Sequence, residues 1–352
     1  MITNRKEEHV QLAINGDVGF RELTNGLDDV RLPYNALPEL NFDDISTEVG
    51  FLGKRLSLPL IISGMTGGYP DAERINAGLA ESAAALGIAM GVGSMRAAFD
   101  RPETRSSYTV LQSFSTAVPV ITNIGAVQLA EWYRKGAVED RINECIYLVG
   151  ASVVGIHINP LQELLQPEGE PDFSGVLEAI NASVELSPLP VMVKEVGAGI
   201  SGSVARKLIQ AGVSCIDVAG AGGTSWAAIE IKRHQEQDKL QEFREVGIST
   251  AECLRQIAAL RKQHAAQPSN HSPFPTVVGS GGISSGYDIA RALYLGADLC
   301  ASARPVLQAF AAGGITLVVQ LIDEWMLRLR QWMFITGAAT PQQLTTMGTT
   351  RV

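Results

Sequence analysis

The segment Val154-Gly-Ile-His157-Ile-Asn159-Pro-Leu-Gln162-Glu163 joins a short apolar run to a cluster of polar side chains. The residues from Val154 to Ile156 are typical of a buried strand, because the interior of a parallel sheet is almost continuously apolar. A histidine, two amides and a carboxylate then follow within seven residues, and a sheet interior tolerates few unpaired polar groups. The pattern therefore predicts a buried strand whose carboxyl end opens into a functional site.

This strand is one of eight apolar runs that alternate with segments of helical periodicity. The predicted strands are Leu58–Ser63, Ile88–Gly93, Pro119–Asn123, Val153–Asn159, Pro190–Val196, Ser214–Ala219, Thr276–Ser280 and Leu299–Ala303. The predicted helices include Ala72–Leu86, Ala126–Val149, Ser174–Leu186, Ser203–Ala211, Thr250–His264 and Gly286–Leu295. Eight strands that alternate with helices over about 250 residues favour a (β/α)8 TIM barrel, within the α/β class, over an open sheet.

The segments outside the alternating pattern predict the domain organisation. Residues 1–57 form an N-terminal arm and cap, residues 58–336 form the barrel, and residues 337–352 form a C-terminal tail. The last barrel helix is predicted at about Ile315 to Thr336. The segment from Glu230 to Arg244 is densely charged, so a solvated loop is expected there, with a mobile lid as the alternative.

The composition excludes several classes of protein. The net charge of the 352-residue chain is -9, which disfavours a general surface for nucleic acid or anionic membranes. The four cysteines are scattered along the sequence, so zinc knuckles and CxxC redox pairs are not expected. The N-terminus lacks the apolar core of a signal peptide, and the apolar stretch around residues 313–322 is too short to span a bilayer. A cytoplasmic protein is expected.

Glycine-rich turns follow the last three predicted strands, and they indicate a phosphate site. Gly222-Gly-Thr224, Gly281-Gly282 and Ala303-Arg304 offer backbone N–H groups, a hydroxyl and a guanidinium. A phosphate site after the seventh and eighth strands recurs in this fold, and glycine permits the close approach of an anion to the backbone. Ordinary turns are the alternative interpretation, because glycine is common in turns.

Two groups of cations and one carboxylate complete the candidate site. Lys194 ends a strongly apolar strand and must face an anion or a polar cavity; an ion pair with Glu195 or another carboxylate is the alternative. Beside a flavin, such a cation stabilises the negative charge that collects at N1 and C2=O on reduction. The second group joins Arg5, Lys6 and His9 to Arg96 and His157, unless the N-terminal residues are only a solvated helix turn. Glu163 is a candidate Mg²⁺ ligand, or a surface helix glutamate.

The order of these motifs resembles that of the type 2 isopentenyl diphosphate isomerases. The motifs are Arg5-Lys-x-x-His9, Met65-Thr-Gly-Gly68, Gly93-Ser-Met-Arg96, Asn123-Ile-Gly-Ala126, His157-Ile-Asn-Pro-Leu-Gln-Glu163, Lys194-Glu-Val-Gly197, Gly222-Gly-Thr-Ser-Trp226 and Ser280-Gly-Gly282. The resemblance implies an enzyme that interconverts isopentenyl and dimethylallyl diphosphate in isoprenoid synthesis. It implies FMN and Mg²⁺ as cofactors, reduction of the flavin by NADPH without net redox change, and a tetramer or octamer.

The resemblance also implies roles for individual residues. FMN would be held by Met65, Thr66, Gly67, Ser94, Asn123, Lys194, Thr224, Gly281, Gly282, Ile283, Ala303 and Arg304. The substrate would be held by Arg5, Lys6, His9, Ser94, Met95, Arg96, His157 and Gln162, with His157 and Gln162 as catalytic residues and Glu163 as the metal ligand. Two positions depart from the family pattern: Ser284 replaces a basic residue, and Ala219 replaces a hydroxyl. Both concern the phosphate end of FMN.

Two other functions fit parts of the sequence. A redox FMN barrel that oxidises a 2-hydroxy acid or a dihydropyrimidine could use His157, but the Arg5-Lys6-His9 arm would then have no purpose. A flavin-storing or regulatory protein without turnover would not need Gln162 and Glu163 beside the cofactor. The isomerase interpretation gives a role to all of these residues.

Overall fold

The computed structural model describes residues 2–235, 237–266 and 273–349. Its strands are β1 Val49–Phe51, β2 Lys54–Leu56, β3 Leu60–Ile62, β4 Ala89–Gly91, β5 Val120–Ile121, β6 Ile124–Gly125, β7 Val154–His157, β8 Val191–Lys194, β9 Cys215–Asp217, β10 Thr276–Ser280 and β11 Leu299–Ser302. Within these residues, β3 to β11 form one parallel sheet in the order β5-β4-β3-β11-β10-β9-β8-β7-β6.

Helices follow most of these strands and cover the outside of the sheet. They are α1 Ile2–Asn15, α2 Ala72–Leu86, α3 Arg96–Asp100, α4 Ser106–Thr109, α5 Ala126–Arg134, α6 Val138–Val149, α7 Pro160–Leu165, α8 Val176–Leu186, α9 Gly202–Gln210, α10 Trp226–Arg233, α11 Thr250–Ala265, α12 Gly286–Tyr294, α13 Arg304–Thr336 and α14 Pro341–Thr349. Short 3-10 helices occupy Leu27–Asp29, Phe42–Asp44, Pro102–Thr104, Val110–Phe114 and Gln237–Glu245.

The sheet closes into a barrel through its third predicted strand, which is split in two. β5 and β6 lie at opposite ends of the strand order but are separated by only Thr122 and Asn123, and Ile121 pairs in parallel with Val153 beside β7. At the break, side chains replace the ladder: the backbone N–H of Gly155 donates to Thr122 Oγ1 (2.9 Å). The predicted (β/α)8 barrel is therefore confirmed.

The barrel interior is filled by alternate side chains from the strands, including Ile61, Met192 and Val278. Phe51 and Leu56 of the β1–β2 hairpin belong to the same apolar cluster and are fully buried. The hairpin thus closes the amino end of the barrel. This packing leaves the carboxyl end of the strands as the open end of the barrel.

The structure changes three of the predictions outside the strands. The predicted helix Ala126–Val149 is interrupted at Gly136, where φ is +65°, and forms α5 and α6. The predicted C-terminal tail contains α14, which packs against α12; its last residues, 350–352, lie outside the described residues. In the segment from Glu230 to Arg244, apart from residue 236, which is not described, Glu230 and Arg244 are buried, whereas most of the residues from 235 to 242 are exposed, as expected for a solvated segment. The last helix is divided at Gly313 and Gly314, so its second part begins at Ile315, as predicted.

The prediction that the apolar stretch near residues 313–322 is too short to cross a bilayer also needs qualification. By length and composition alone, α13 could span a membrane, with a mean hydropathy of 1.7 over its most apolar window. Gly313 and Gly314 have non-helical backbone angles, however, and divide it into two shorter helices. Both α2 and α12 pack against α13, which makes it part of the outer layer of the barrel.

Candidate active site

A cavity of about 470 Å³ lies at the carboxyl ends of the strands. Most of the residues singled out in the sequence line it: Arg5, Lys6, His9, Met65, Gly67, Ser94, Arg96, Asn123, His157, Gln162, Glu163, Lys194, Thr224, Gly281, Gly282, Ile283, Ala303 and Arg304. Parallel strands of a barrel all end on one face, so residues far apart in sequence meet there. The N-terminal arm reaches the same face through α1.

Two of the predicted site residues do not line the cavity. Met95, predicted to bind substrate, is 1% exposed and belongs to the apolar core. Thr66, predicted to bind FMN, is buried, and its hydroxyl donates to Asn76 Oδ1. A polar side chain that is already satisfied inside the protein has little to gain from a ligand. The sequence could not show this, because Asn76 lies on α2 and not on the strand.

His157 at the end of β7 is held in one tautomer by Asn123. The amide nitrogen of Asn123 donates to the carbonyl of Val92 (2.8 Å), so Asn123 Oδ1 faces His157 Nδ1 at 2.6 Å. Nδ1 must therefore carry the proton that it donates, which leaves Nε2 as an acceptor. Burial, together with the nearby Lys194 and Lys6, lowers the pKa of His157 to about 3. His157 is thus a neutral imidazole.

Gln162 is held at both ends of its amide. Its oxygen accepts from Asn159 Nδ2 (3.1 Å), and its nitrogen donates to Glu230 Oε1 (3.0 Å). Each end keeps a second hydrogen or lone pair for a ligand. Because both partners lie on or beside the short helices α7 and α10, the amide orientation is fixed by the fold.

Glu230 is the functional residue that the sequence analysis missed. Its side chain is fully buried, accepts from Arg233 Nη1 (2.6 Å), and lies 3.0 Å from His9 Nε2. Although burial opposes ionisation, the close contact with His9 and the hydrogen bonds from Gln162 and Arg233 lower the pKa of Glu230. It is therefore a carboxylate that joins α1 to Gln162. The sequence signal for Glu230 is its position inside the apolar run Ala227-Ala-Ile-Glu230-Ile. The sequence prediction instead assigns Glu230 to the start of the charged segment that ends at Arg244.

Glu163 follows Gln162 on α7 and has two protein donors. Asn159 Nδ2 donates to Oε1 (3.1 Å), and the backbone N–H of Glu170 donates to Oε2 (2.9 Å). Among the described residues, no group of three or more His, Cys, Asp or Glu side chains could hold a metal by itself. A metal bound at Glu163 would therefore need oxygen ligands beyond such a group, for example from amides, water or a bound anion.

Arg96 and Arg5 face acidic residues of the segment that follows α7. Glu170 forms a bidentate pair with Arg96 (2.7 and 3.1 Å), which raises the pKa of the guanidinium. Glu168 lies 4.0 Å from Arg5 and also pairs with Arg233 (3.1 Å). These carboxylates are about half exposed, so the pairs are weak. An incoming anion can displace them.

Lys6 projects from α1 into the cavity, and no carboxylate of the described residues is in hydrogen-bond contact with it. Its ammonium donates to the carbonyl of Ser94 (2.7 Å) and to the hydroxyl of Tyr108 (2.9 Å). Burial and the positive charges of Arg5 and Arg101 lower the pKa of Lys6 to about 7, against the opposite effect of Asp100. An ammonium held in this way is suited to bind an anion, because an anion would restore the missing counter-charge.

Lys194 lies across the cavity from α1, at the end of β8. Its ammonium donates to the carbonyl of Glu195 (2.8 Å), and in the sheet it is paired with Asp217 of β9. Burial lowers the pKa of Lys194, and the charge of Asp217 opposes that shift. The carboxylate of Glu195 points elsewhere, since its Oε2 accepts backbone N–H groups of residues 196–199. The ion pair with Glu195 that the sequence allowed is therefore not formed.

The glycines of the predicted phosphate loops are required by the packing of the loops themselves. Gly222 has φ +107°, and a Cβ there would overlap the backbone of Thr24 and Asn25. Gly281 has φ +100°, and a Cβ there would overlap Gly220. Asn25 of the arm also donates to the carbonyl of Gly282 (2.9 Å). The loops and residues 18–25 of the arm thus pack backbone against backbone, and glycine alone does not demonstrate a phosphate.

Similar proteins agree with this architecture. A model of the FMN-dependent dehydrogenase family matches residues 164–350. Isopentenyl-diphosphate delta-isomerases from Chlorobium phaeovibrioides and Vibrio parahaemolyticus are 43% and 41% identical to the chain, covering 97% of it and 94% and 97% of the relatives. The chain belongs to the isopentenyl-diphosphate delta-isomerase family. A lactate oxidase from Pediococcus acidilactici (TM-score 0.65, 17% identity, 98% and 92% coverage) shares the fold.

The cavity of this isomerase family member fits FMN. Its volume lies in the range of small-molecule sites, and the half formed by the loops after β9, β10 and β11 presents glycine backbone and the Arg304 guanidinium. Ala219 and Ser284, the two positions that depart from the family pattern, nevertheless each have a hydroxyl group nearby. The backbone N–H of Ala219 donates to Ser280 Oγ (3.0 Å), and Ser284 lines the cavity while its hydroxyl donates to Asp288 (3.1 Å).

Proposed function

We propose that this protein interconverts isopentenyl and dimethylallyl diphosphate, using reduced FMN and Mg²⁺ with no net redox change. The observation that carries the proposal is the placement of α1. It brings Arg5, Lys6 and His9 to the same cavity as Lys194 and the glycine loops. A diphosphate held by α1 would place its hydrocarbon chain over a flavin held by the loops. A redox enzyme for small hydroxy acids would have no use for this arm.

The chain contributes binding, orientation and exclusion of water. Lys6, Arg5, His9 and Arg96 would bind the diphosphate by charge-assisted hydrogen bonds. His157 and Gln162 would act beside the reacting carbons, each in the orientation fixed by its partner. Reduced FMN, when bound, supplies the acid and base for moving a proton between two carbons. Apolar wall residues such as Val10, Trp226 and Leu307 would shield developing positive charge from water.

The groups that would hold FMN bind different parts of the cofactor. Lys194 would stabilise the negative charge of the reduced ring, and Arg304 with the loop backbones would hold the phosphate. We infer that Mg²⁺ is bound by Glu163 together with the substrate diphosphate, because Mg²⁺ commonly combines one or two carboxylates with phosphate oxygens. We further infer from the family that NADPH reduces the flavin, that the chain assembles as a tetramer or octamer, and that it acts in the cytoplasm.

The proposal is tested by incubating purified protein with isopentenyl diphosphate, FMN, Mg²⁺ and NADPH. We expect dimethylallyl diphosphate to accumulate over many turnovers while NADPH is consumed only to reduce the bound flavin. Oxidation of NADPH or substrate in step with turnover would indicate a redox enzyme. A yellow protein that dithionite bleaches, but that forms no product, would indicate a flavin-binding protein without this activity.

A variant of Lys194 tests the flavin half of the proposal. In Lys194→Ala we expect turnover to fall about 100-fold, because removing one charge-stabilising group costs this much in comparable sites. The fold should persist, because the ammonium is held by a backbone carbonyl; circular dichroism and thermal melting check this. Unchanged turnover in a folded variant would remove Lys194 from the site.

A further inference from the structure

Helix α1 carries three proposed substrate ligands, but it needs outside support to hold them in place. It is 14 residues long, and isolated helices of this length are marginal in water. Val10 of α1 is buried in the main core, Ala13 and Ile14 pack against that core, and Val18, just after the helix, packs with Ala228 and Ile229 of α10. Polar contacts at the end of α1 add to this apolar packing.

The carboxyl end of α1 is bound by two side chains of α13. Arg304 donates from Nε to the carbonyl of Ala13 (2.7 Å) and from Nη2 to that of Gly16 (2.8 Å). Gln308, one turn later, donates to the carbonyl of Ile14 (2.8 Å). The last carbonyls of a helix have no partners within the helix, and they favour a cation. We call this pair, Arg304 and Gln308, the α1 clamp.

The rest of the arm is fixed separately. Arg244 is buried and donates to the carbonyl of Gly19 (2.7 Å) and to Asp17 Oδ1 (3.0 Å). The carboxylate of Glu245 accepts the backbone N–H groups of residues 21–23. Residues 17–23 are therefore anchored by the segment before α11. The clamp binds the carbonyls at the end of α1 itself, in addition to the apolar packing of Ala13 and Ile14 against the core.

Arg304 also faces the proposed site for the FMN phosphate. It lines the cavity directly after β11, beside Ala303 and the Gly281–Gly282 loop. The two hydrogen bonds to α1 use Nε and Nη2, and within the described part of the chain Nη1 makes no hydrogen bond to protein. A guanidinium can donate five hydrogen bonds in a fixed plane. One side chain can therefore bind a phosphate and the end of α1 together.

We propose that Gln308 is a positioning residue for substrate, and that Arg304 links occupation of the flavin phosphate site to the docking of α1. The inference rests on the proposed FMN site. When the phosphate is bound, it fixes the Arg304 side chain in the geometry that holds α1. The substrate ligands on α1 are then presented at the cavity before substrate arrives. Without FMN, α1 is held by Gln308 and by a less ordered Arg304.

Hydrogen exchange tests this link without any need for turnover. In the wild type we expect FMN to slow exchange of the amides of α1 about fivefold, the effect of about one hydrogen bond. In Gln308→Leu, exchange should be faster with and without FMN. In Arg304→Met at an FMN concentration that saturates binding, FMN should no longer protect α1. Equal protection by FMN in wild type and Arg304→Met, or no protection in wild type, would overturn the link.

Kinetics test the positioning role of Gln308. We expect the KM for isopentenyl diphosphate to rise about fivefold in Gln308→Leu with kcat changed less than twofold, because α1 binds the diphosphate and not the reacting carbons. Gln320→Leu is the matched control, since Gln320 is exposed on the same helix, and it should match wild type. An unchanged KM together with unchanged exchange would overturn the proposal while leaving the isomerase function intact. Exchange that changes as predicted, in a protein without isomerase activity, would support the role of Gln308 and contradict the isomerase function.

Discussion

The substrate half and the cofactor half of the cavity are lined by different kinds of chemical group. On the substrate half, which comprises α1, α7 and α10, the ligands are charged or amide side chains that the protein already pairs with one another. On the cofactor half, which comprises the loops after β9, β10 and β11, the surface is mainly glycine backbone packed against the arm. One half is defined by side-chain chemistry and the other by backbone geometry.

This difference predicts how each half responds to change. A half-exposed ion pair contributes up to about 1 kcal/mol, so the substrate half can exchange partners when an anion binds. A left-handed glycine in contact with another backbone has no alternative conformation to adopt. Substitutions should therefore have graded effects on the substrate half and severe effects on the cofactor half.

The largest effect is expected for Gly222→Ala. Its Cβ would overlap the backbone of Thr24 and Asn25 at φ +107°, so both the loop and the arm must move. We expect FMN affinity to fall about 100-fold, the order of magnitude of the loss that a displacement of about 1 Å causes in a precisely positioned site, and the Tm to fall clearly. Flavin fluorescence titration and thermal melting measure these changes.

Gly136→Ala is the matched control for that variant. Gly136 also has a left-handed backbone, with φ +65°, but a Cβ there would meet nothing within 4 Å. It should cost about 1 kcal/mol from backbone strain alone and leave FMN binding unchanged. Equal behaviour of the two variants would show that left-handed strain, not the contact with the arm, sets the loop geometry.

An intermediate effect is expected at Glu163, on the substrate half. Glu163→Gln removes the one carboxylate charge proposed for Mg²⁺, so the Mg²⁺ concentration for half-maximal activity should rise roughly 10- to 100-fold, as for other altered metal sites. Isomerase assays over a Mg²⁺ series measure this. Normal Mg²⁺ dependence in Glu163→Gln would exclude Glu163 as the ligand.

Glu170→Gln tests whether Glu170 is a metal ligand or a competitor of the substrate for Arg96. Glu170 pairs with Arg96, so its neutralisation should free Arg96 and lower the KM for substrate by about two- to fivefold, without a greater Mg²⁺ requirement. If this variant instead raised the Mg²⁺ requirement, Glu170 would be a second metal ligand.

The sequence predicted the barrel well because its evidence is local. Strand β10 and helix α2, whose predicted and observed bounds agree, follow from short runs of residues whose interpretation does not depend on distant partners. The break at Asn123 could not be predicted, because it results from hydrogen bonds to Val92 and His157, residues that belong to neighbouring strands.

The site could also be predicted only in part from the sequence. Residues at strand ends, such as His157 and Lys194, could be placed because every strand of a barrel ends on one face. Glu230 could not, because its role depends on contacts with His9 and Gln162 that no sequence spacing reveals. The sequence also does not show that the side chain of Met95 turns into the core, because a motif gives the order of residues but not the direction of each side chain.

The smallest effect expected is a pH dependence from Lys6. Its pKa of about 7 means that it loses its charge as the pH rises above neutrality, unlike a lysine in water. Diphosphate binds the charged form, so the KM for substrate should rise about twofold between pH 7 and 7.5, less than the limit of tenfold per pH unit. Lys6→Arg keeps its charge there, so its KM should stay flat; a parallel rise in both proteins would assign the titration to another group.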